Sequence, residues 1–114
     1  MSAKRRSGVR EKAVAFAALG DETRLLLLAK LCNGQQYSIA ELTEGTTLTR
    51  QAVTKHLRVL EGARMVHGKR AGRQNLFAFD PEPVIEMKEY LELVSEQWDD
   101  ALVRLRRFVE SDRH

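Results

Sequence analysis

The stretch Leu48-Thr49-Arg50-Gln51-Ala52-Val53-Thr54-Lys55-His56-Leu57-Arg58-Val59-Leu60 decides the reading of this chain. Wound at about 100° per residue, it sorts into two faces. Val53, Leu57 and Leu60 fall on one apolar stripe. Gln51, Thr54, Lys55 and Arg58 fall on the opposite side, which carries amide, hydroxyl and cationic groups, and no carboxylate appears before Glu61. Donors of this kind, unbalanced by acids, are suited to base edges and phosphates in the major groove of DNA.

Upstream, Ser38-Ile39-Ala40-Glu41-Leu42-Thr43-Glu44 also has a helical pattern, with Ser38 and Glu41 spaced for a reciprocal capping box. Gly45-Thr46-Thr47 interrupts it, and a Thr N-cap then starts the second helix. Helix, short Gly-containing turn and second helix is the order of a helix-turn-helix, whose second helix offers its N-terminal residues to base edges.

With 114 residues, 43% of them hydrophobic, the chain has the size of one domain. Its net charge of +3 is modest, but the distribution is uneven. Residues 1–79 hold 14 Lys and Arg against 6 Asp and Glu, whereas residues 80–100 hold eight acids and only Lys88 as a base. A phosphate-facing surface therefore belongs to the first part. Cys32 is the only cysteine, which excludes an intrachain disulfide and an all-cysteine metal site within one subunit. No apolar run is long enough for a signal sequence or a membrane span, so a cytoplasmic protein without membrane contact is expected.

Residues 1–8 are basic and poor in apolar side chains, and are expected to form a flexible basic arm ahead of one domain over 9–114. Apolar residues at helical spacing from Val9 to Leu19 predict a first helix, with Gly20 at its end. Asp21 can cap a second helix, Leu25 to Cys32, whose apolar character on nearly every side predicts a central core position with Cys32 buried. After the helix-turn-helix the period changes. Arg64–Lys69 and Arg73–Phe79 read as strands of a β-hairpin with Arg70-Ala71-Gly72 as the turn, clustering Lys69, Arg70 and Arg73 at its tip. A basic hairpin following a reading helix has the position of a wing, placed to touch the DNA backbone or minor groove.

Asp80 and Pro81 have the character of an N-cap and a first helical residue, starting a long helix over 81–110. Val84, Leu91, Trp98 and Leu105 recur every seven residues, as do Met87, Val94, Ala101 and Phe108, and Tyr90, Leu102 and Val109 widen the seam. Such a stripe on a terminal helix predicts a homodimer. The fold class expected is thus mainly α with a small β-hairpin (α+β), a winged helix-turn-helix dimerising through terminal helices.

Three segments in this order, Phe16-Ala17-Ala18-Leu19-Gly20-Asp21-Glu22-Thr23-Arg24-Leu25, Gln51 to Leu60 and the basic hairpin, make residues 10–110 resemble the ArsR/SmtB family of bacterial winged-helix repressors. The resemblance implies a homodimer that represses transcription and leaves DNA when an inducer binds. Where arsenic-responsive relatives carry a cysteine pair, this chain has Ser38 and Ala40, which supply no thiolate. Zinc-responsive relatives use Asp and His on the last helix, yet residues 81–110 contain no histidine and only His114 lies beyond. No metal site and no cofactor are therefore expected. Trp98-Asp99-Asp100-Ala101-Leu102-Val103-Arg104-Leu105 is similar to a subgroup with a Trp in the last helix and no recognised metal ligands.

The functional expectation is a regulator binding double-stranded DNA at an inverted-repeat operator, controlled by an unidentified inducer. Gln51, Thr54 and Lys55 are expected to read bases, and Arg50, Arg58, Lys69, Arg70 and Arg73 to hold phosphates. Thr49 and His56 complete the expected DNA-contacting set; His56 matches a position commonly histidine in the family, where the resemblance implies packing or a phosphate contact. The competing reading is a dimeric winged-helix interaction module that has lost DNA binding; acids or apolar residues at 51, 54, 55 and 58 would favour it. No catalytic set can be assembled, since no Ser/His/Asp arrangement, Gly-rich phosphate loop or acid pair has a spacing rationale.

Overall fold

Asp21, Ser38 and Thr49 each start a helix by accepting a backbone N–H three residues ahead, and these three caps punctuate the first half of the chain. The computed structural model describes residues 2–112, with side chains from residue 8 onward. The elements are α1 (Ser2–Leu19), α2 (Glu22–Leu31), β1 (Tyr37–Ser38), α3 (Ile39–Thr43), α4 (Arg50–Gly62), β2 (Val66–Ala71), β3 (Gln74–Phe79) and α5 (Glu82–Ser111). α3 and α4 form the helix-turn-helix, with the capping box of Ser38 and Glu41 complete and Gly45 left-handed in the turn, at φ 78°.

The core lies where α2, α3, α4 and the start of β2 meet: Leu31, Leu42, Val53, Leu57, Leu60, Met65 and Val66 are fully buried. The stripe Val53, Leu57, Leu60 thus holds α4 against the body and turns its opposite face outward. α2 differs from its expected all-round burial. Leu27, Leu28 and Leu31 are buried but Leu25 and Leu26 are exposed, because neighbours cover only one side of the helix. Cys32 is exposed rather than buried: it is the C-cap, and the chain turns away there through Asn33 and left-handed Gly34.

The sheet has three antiparallel strands in the order β1-β3-β2. β1, two residues long and running into the capping box, was not expected from the sequence. Its register sets Tyr37 against Phe77 and Ser38 against Leu76, tying the wing to the start of α3. The hairpin turn is Gly72-Arg73, shifted from the expected Arg70-Ala71-Gly72, since Ala71 pairs with Gln74. Gly72 supplies φ 63° at the first turn position, which a side chain would strain. Gly68 is needed for space instead: a Cβ there would meet the Phe77 ring at 3.0 Å and the Glu61 carboxylate at 3.2 Å.

α1 begins at Ser2, so residues 2–8, expected as an arm, belong to the first helix; Met1 lies outside the described residues. Ala3, Lys4, Arg5 and Arg6 are strong helix formers, and a helix propagates through one Gly8 at modest cost. α5 starts one residue later than expected. Pro81 is its N-cap, and Asp80 still caps, its Oδ1 accepting the Glu82 N–H at 3.0 Å. The 30-residue α5 is about 45 Å long at helical rise, and much of the 69 Å extent of the molecule follows from it.

α4 ends in a Schellman motif with an arginine in the left-handed position. The Met65 N–H reaches Leu60 O at 3.0 Å, the Arg64 N–H reaches Glu61 O at 2.9 Å, and Arg64 has φ 63°. Arg64→Gly removes this strain, and a gain of about 1 kcal/mol is expected, read as a higher urea midpoint at unchanged slope. An unchanged or lower midpoint contradicts it.

Three capping carboxylates give stability a pH dependence. Asp21, Glu41 and Asp80 are held below the ordinary carboxylate range, chiefly by the backbone N–H groups of Arg24, Ser38 and Glu82 respectively; the His67 hydrogen bond adds to the effect at Asp80. A pKa lowered by folding means stabilisation present above the unfolded value and lost as pH falls through the folded one. The urea midpoint should therefore hold down to about pH 5 and fall steadily below about pH 4. A midpoint that stays level to about pH 3 contradicts this contribution of the caps.

Candidate nucleic-acid interface

The outward face of α4 is built by its cap and its buried stripe. Thr49 Oγ1 accepts the Ala52 N–H at 3.1 Å, fixing the first turn and leaving the early N–H groups and the positive end of the helix dipole at the surface. From there Gln51, Thr54, Lys55 and Arg58 occupy an arc of about 100°. Gln51, Lys55 and Arg58 are exposed, as is Arg50, and among the described residues none of these four side chains has a hydrogen-bonding or ionic partner. Thr54 is half-buried and its hydroxyl donates to Arg50 O at 2.7 Å, so it offers a methyl group and free lone pairs to a partner. One amide, one threonine and three uncommitted cations on a single convex helix face can hydrogen-bond base edges and phosphates together.

The wing follows α4 and its first strand packs against that helix. Lys69, Arg70 and Arg73 are exposed, but the pleat spreads them: Lys69 and Arg70 point to opposite sides of β2, and Arg73 sits in the turn itself. Arg70 Nε donates to Gly72 O at 3.4 Å. The first acid on α4, Glu61, is directed to the wing, its Oε2 accepting the Gly68 N–H at 3.3 Å.

Of the two roles expected for His56, packing or a phosphate contact, its surroundings match the first. It lies about 150° round the helix from the arc of Gln51, Thr54, Lys55 and Arg58, half-buried, with Nδ1 3.2 Å from Arg24 Nη1. That nitrogen is engaged within the protein and is not offered to a groove. His67 is likewise committed, its Nε2 lying 2.7 Å from Asp80 Oδ2, which joins the wing to the start of α5. Arg24 was not among the residues expected at the site, although a cation in the first turn of α2, against the helix dipole, is a sign that something else holds it.

The expected seam of α5 divides in two. Met87 is buried, Val84 and Val94 are half-buried, and Tyr90 packs beside Phe16 of α1 with ring centroids 6.2 Å apart. Leu91, Trp98, Ala101, Leu105 and Phe108 are exposed, Trp98 at 60% and Phe108 at 70%. No group of three or more His, Cys, Asp or Glu among the described residues is arranged to hold a metal ion, and the Ser38 hydroxyl is occupied by the capping box. His114 lies outside the described residues. No helix among the described residues is long and apolar enough to cross a membrane.

Capped helix, left-handed turn, basic second helix and hairpin in this order define a winged helix-turn-helix protein of the DNA-binding class. The family described as "Bacterial regulatory protein, arsR family" matches residues 21–67. The chain is 40% identical over 79 residues to the HTH-type transcriptional regulator YuzN of Bacillus subtilis, covering 64% of this chain and 86% of that protein. It is 30% identical over 98 residues to the HTH-type transcriptional regulator Rv2034 of Mycobacterium tuberculosis, covering 86% and 88% respectively. Among solved structures, an ArsR-like transcriptional regulator from Rhodococcus sp. RHA1 superposes with a TM-score of 0.72 at 30% identity, over 88% of this chain and 93% of that one. The chain belongs to the ArsR family and is a DNA-binding transcriptional regulator, not an enzyme.

Proposed function

We propose that the protein acts in the bacterial cytoplasm as a repressor, binding an inverted-repeat operator as a homodimer and leaving it in response to an inducer. The observation that carries this reading is the α4 face, where Gln51, Lys55 and Arg58 are exposed and uncommitted opposite the buried Val53, Leu57 and Leu60. Gln51 and Lys55, early on the helix, would reach base edges with Thr54; Arg50, Arg58, Lys69, Arg70, Arg73 and the Thr49 hydroxyl would hold the backbone. This assignment separates residues that specify from residues that position.

The dimer is supported by the apolar surface that one subunit leaves uncovered. On α5 it runs from Leu91 through Trp98 and Leu105 to Val109, and on α1 it includes Val9 and Val14. A contiguous stripe of this kind on two terminal helices has the character of an interface. A two-fold dimer presents two copies of α4, which requires half-sites roughly 10 bp apart centre to centre. Repression then follows from occupancy of the operator, and seven of the eight acids of the 80–100 segment lie on α5, while Asp80 pairs with the wing at His67.

Selection of bound duplexes from a random DNA pool tests the reading. Enrichment of an inverted repeat supports it; a pool that stays random, or a single asymmetric site bound by a monomer, contradicts it.

A further inference from the structure

Arg24 joins three pieces of the chain through one guanidinium. Its Nε donates to Ala18 O at 2.6 Å and its Nη2 to Ala17 O at 3.5 Å, both carbonyls of the last turn of α1. Those are groups a helix cannot satisfy internally, at the end where its dipole favours a cation. Nη1 lies 3.2 Å from Nδ1 of His56, in the middle of α4. Asp21 stands beside them, with Oδ2 accepting the Arg24 backbone N–H at 3.1 Å and lying 3.8 Å from His56 Nδ1.

We propose that Arg24 is a positioning residue for DNA recognition, fixing the orientation of the reading helix α4 relative to α1 through His56. The inference rests on the reading that α4 enters the groove while α1 belongs to the dimer interface. The distance and angle between the two reading helices of a dimer then depend on how each α4 is held on its own α1, and Arg24 is the side chain that spans them. The stem of α4 is fixed by apolar packing, which resists separation more than rotation; a hydrogen bond at His56 resists rotation about the helix axis.

The chemistry of the bond sets its direction: Arg24 is a donor only, so Nδ1 of His56 accepts. The charged groups that the structure sets against His56 are Asp21, from the turn between α1 and α2, and Arg24, from α2. Arg24→Lys keeps the charge but cannot span two carbonyls and an imidazole. His56→Leu removes the acceptor altogether.

The test uses the full-length protein and two duplexes, one enriched from the random pool and one scrambled. Arg24→Lys is expected to lose about tenfold in affinity for the enriched duplex and to stay within about twofold of the parent on the scrambled one, because the phosphate contacts survive. His56→Leu should show the same selective loss on the enriched duplex. Imidazole ¹⁵N shifts, which need no DNA, should show Nδ1 of His56 as the hydrogen-bond-accepting nitrogen. Equal losses for Arg24→Lys or His56→Leu on both duplexes, or an Nδ1 of His56 that carries the ring hydrogen, overturns the positioning role while leaving DNA binding in place. A parent that binds neither duplex overturns the DNA reading itself, and the inference with it.

Discussion

Replacing Leu91 and Leu105 together with glutamate is expected to turn a dimer into a folded monomer. Both side chains are exposed in the isolated subunit, at 42% and 56%, so the substitution removes nothing from the core formed by α2, α3 and α4. In a two-fold dimer the same change introduces four carboxylates into an apolar contact. Burying such charges without partners costs on the order of several kcal/mol, enough to abolish association at micromolar concentration. Sedimentation should give a dimer for the parent and a monomer for the variant, with the helical signal retained. The variant should also lose most of its affinity for an inverted repeat, since two half-sites are then bound independently. A monomeric parent at micromolar concentration contradicts the dimer; a variant that stays dimeric places the interface elsewhere.

Gln51→Ala and Arg73→Ala should fail in different ways. Gln51 is exposed and uncommitted in the first turn of α4, and an amide there can pair in bidentate fashion with adenine. Its loss is expected to cost on the order of 1–3 kcal/mol on the enriched duplex and to relax preference at one position in each half-site. Arg73 lies in the wing turn, where the proposed role is to meet phosphates without reading sequence. Arg73→Ala should weaken enriched and scrambled duplexes alike and flatten the salt dependence by about one unit for each phosphate that a subunit no longer neutralises. Binding isotherms for both variants over a salt series separate the two roles. Equal losses on both duplexes for Gln51→Ala would move base reading to another residue.

The helix-turn-helix was legible because it is encoded locally. Ser38 with Glu41, Gly45, Thr49 and the spacing of Val53, Leu57 and Leu60 each specify their own piece of backbone, and they agree. The hairpin was legible as a hairpin but slipped at its turn, since Gly72 suits either end of a two- or three-residue connection and only pairing with β3 selects Gly72-Arg73. β1 depends wholly on partners distant in the chain. Cys32 misled because its spacing from Leu28 continued the apolar pattern past the point where the helix and its packing end. Residues 2–8 were read by their polarity, whereas their helix propensity matters more when a helix already stands beyond them.

At the candidate interface, periodicity separated the outward cations from the buried stripe, while family position alone ranked His56 with them. The ring faces the other flank of α4, where Arg24 and Asp21 were invisible as partners because 32 residues separate Arg24 from His56. The same holds for Glu61, whose carboxylate meets the wing rather than DNA, and for the pairing of His67 with Asp80. Polar contacts between elements carry no period, so no local pattern signals them. The α5 seam shows the converse: its spacing named the apolar residues correctly, while the structure divides them between the α1 contact near Tyr90 and the uncovered stretch beyond Leu91.

If two copies of α4 read one operator from the major groove, dimethyl sulfate probing of the enriched duplex should reveal it, because the reagent marks guanine N7 in the major groove and adenine N3 in the minor groove. Guanine protection is expected in two segments related by a dyad, about 10 bp apart on the same face of the duplex, with its loss in each segment for Lys55→Ala. Protection confined to one segment, or to adenines in the minor groove, would rule that mode of reading out.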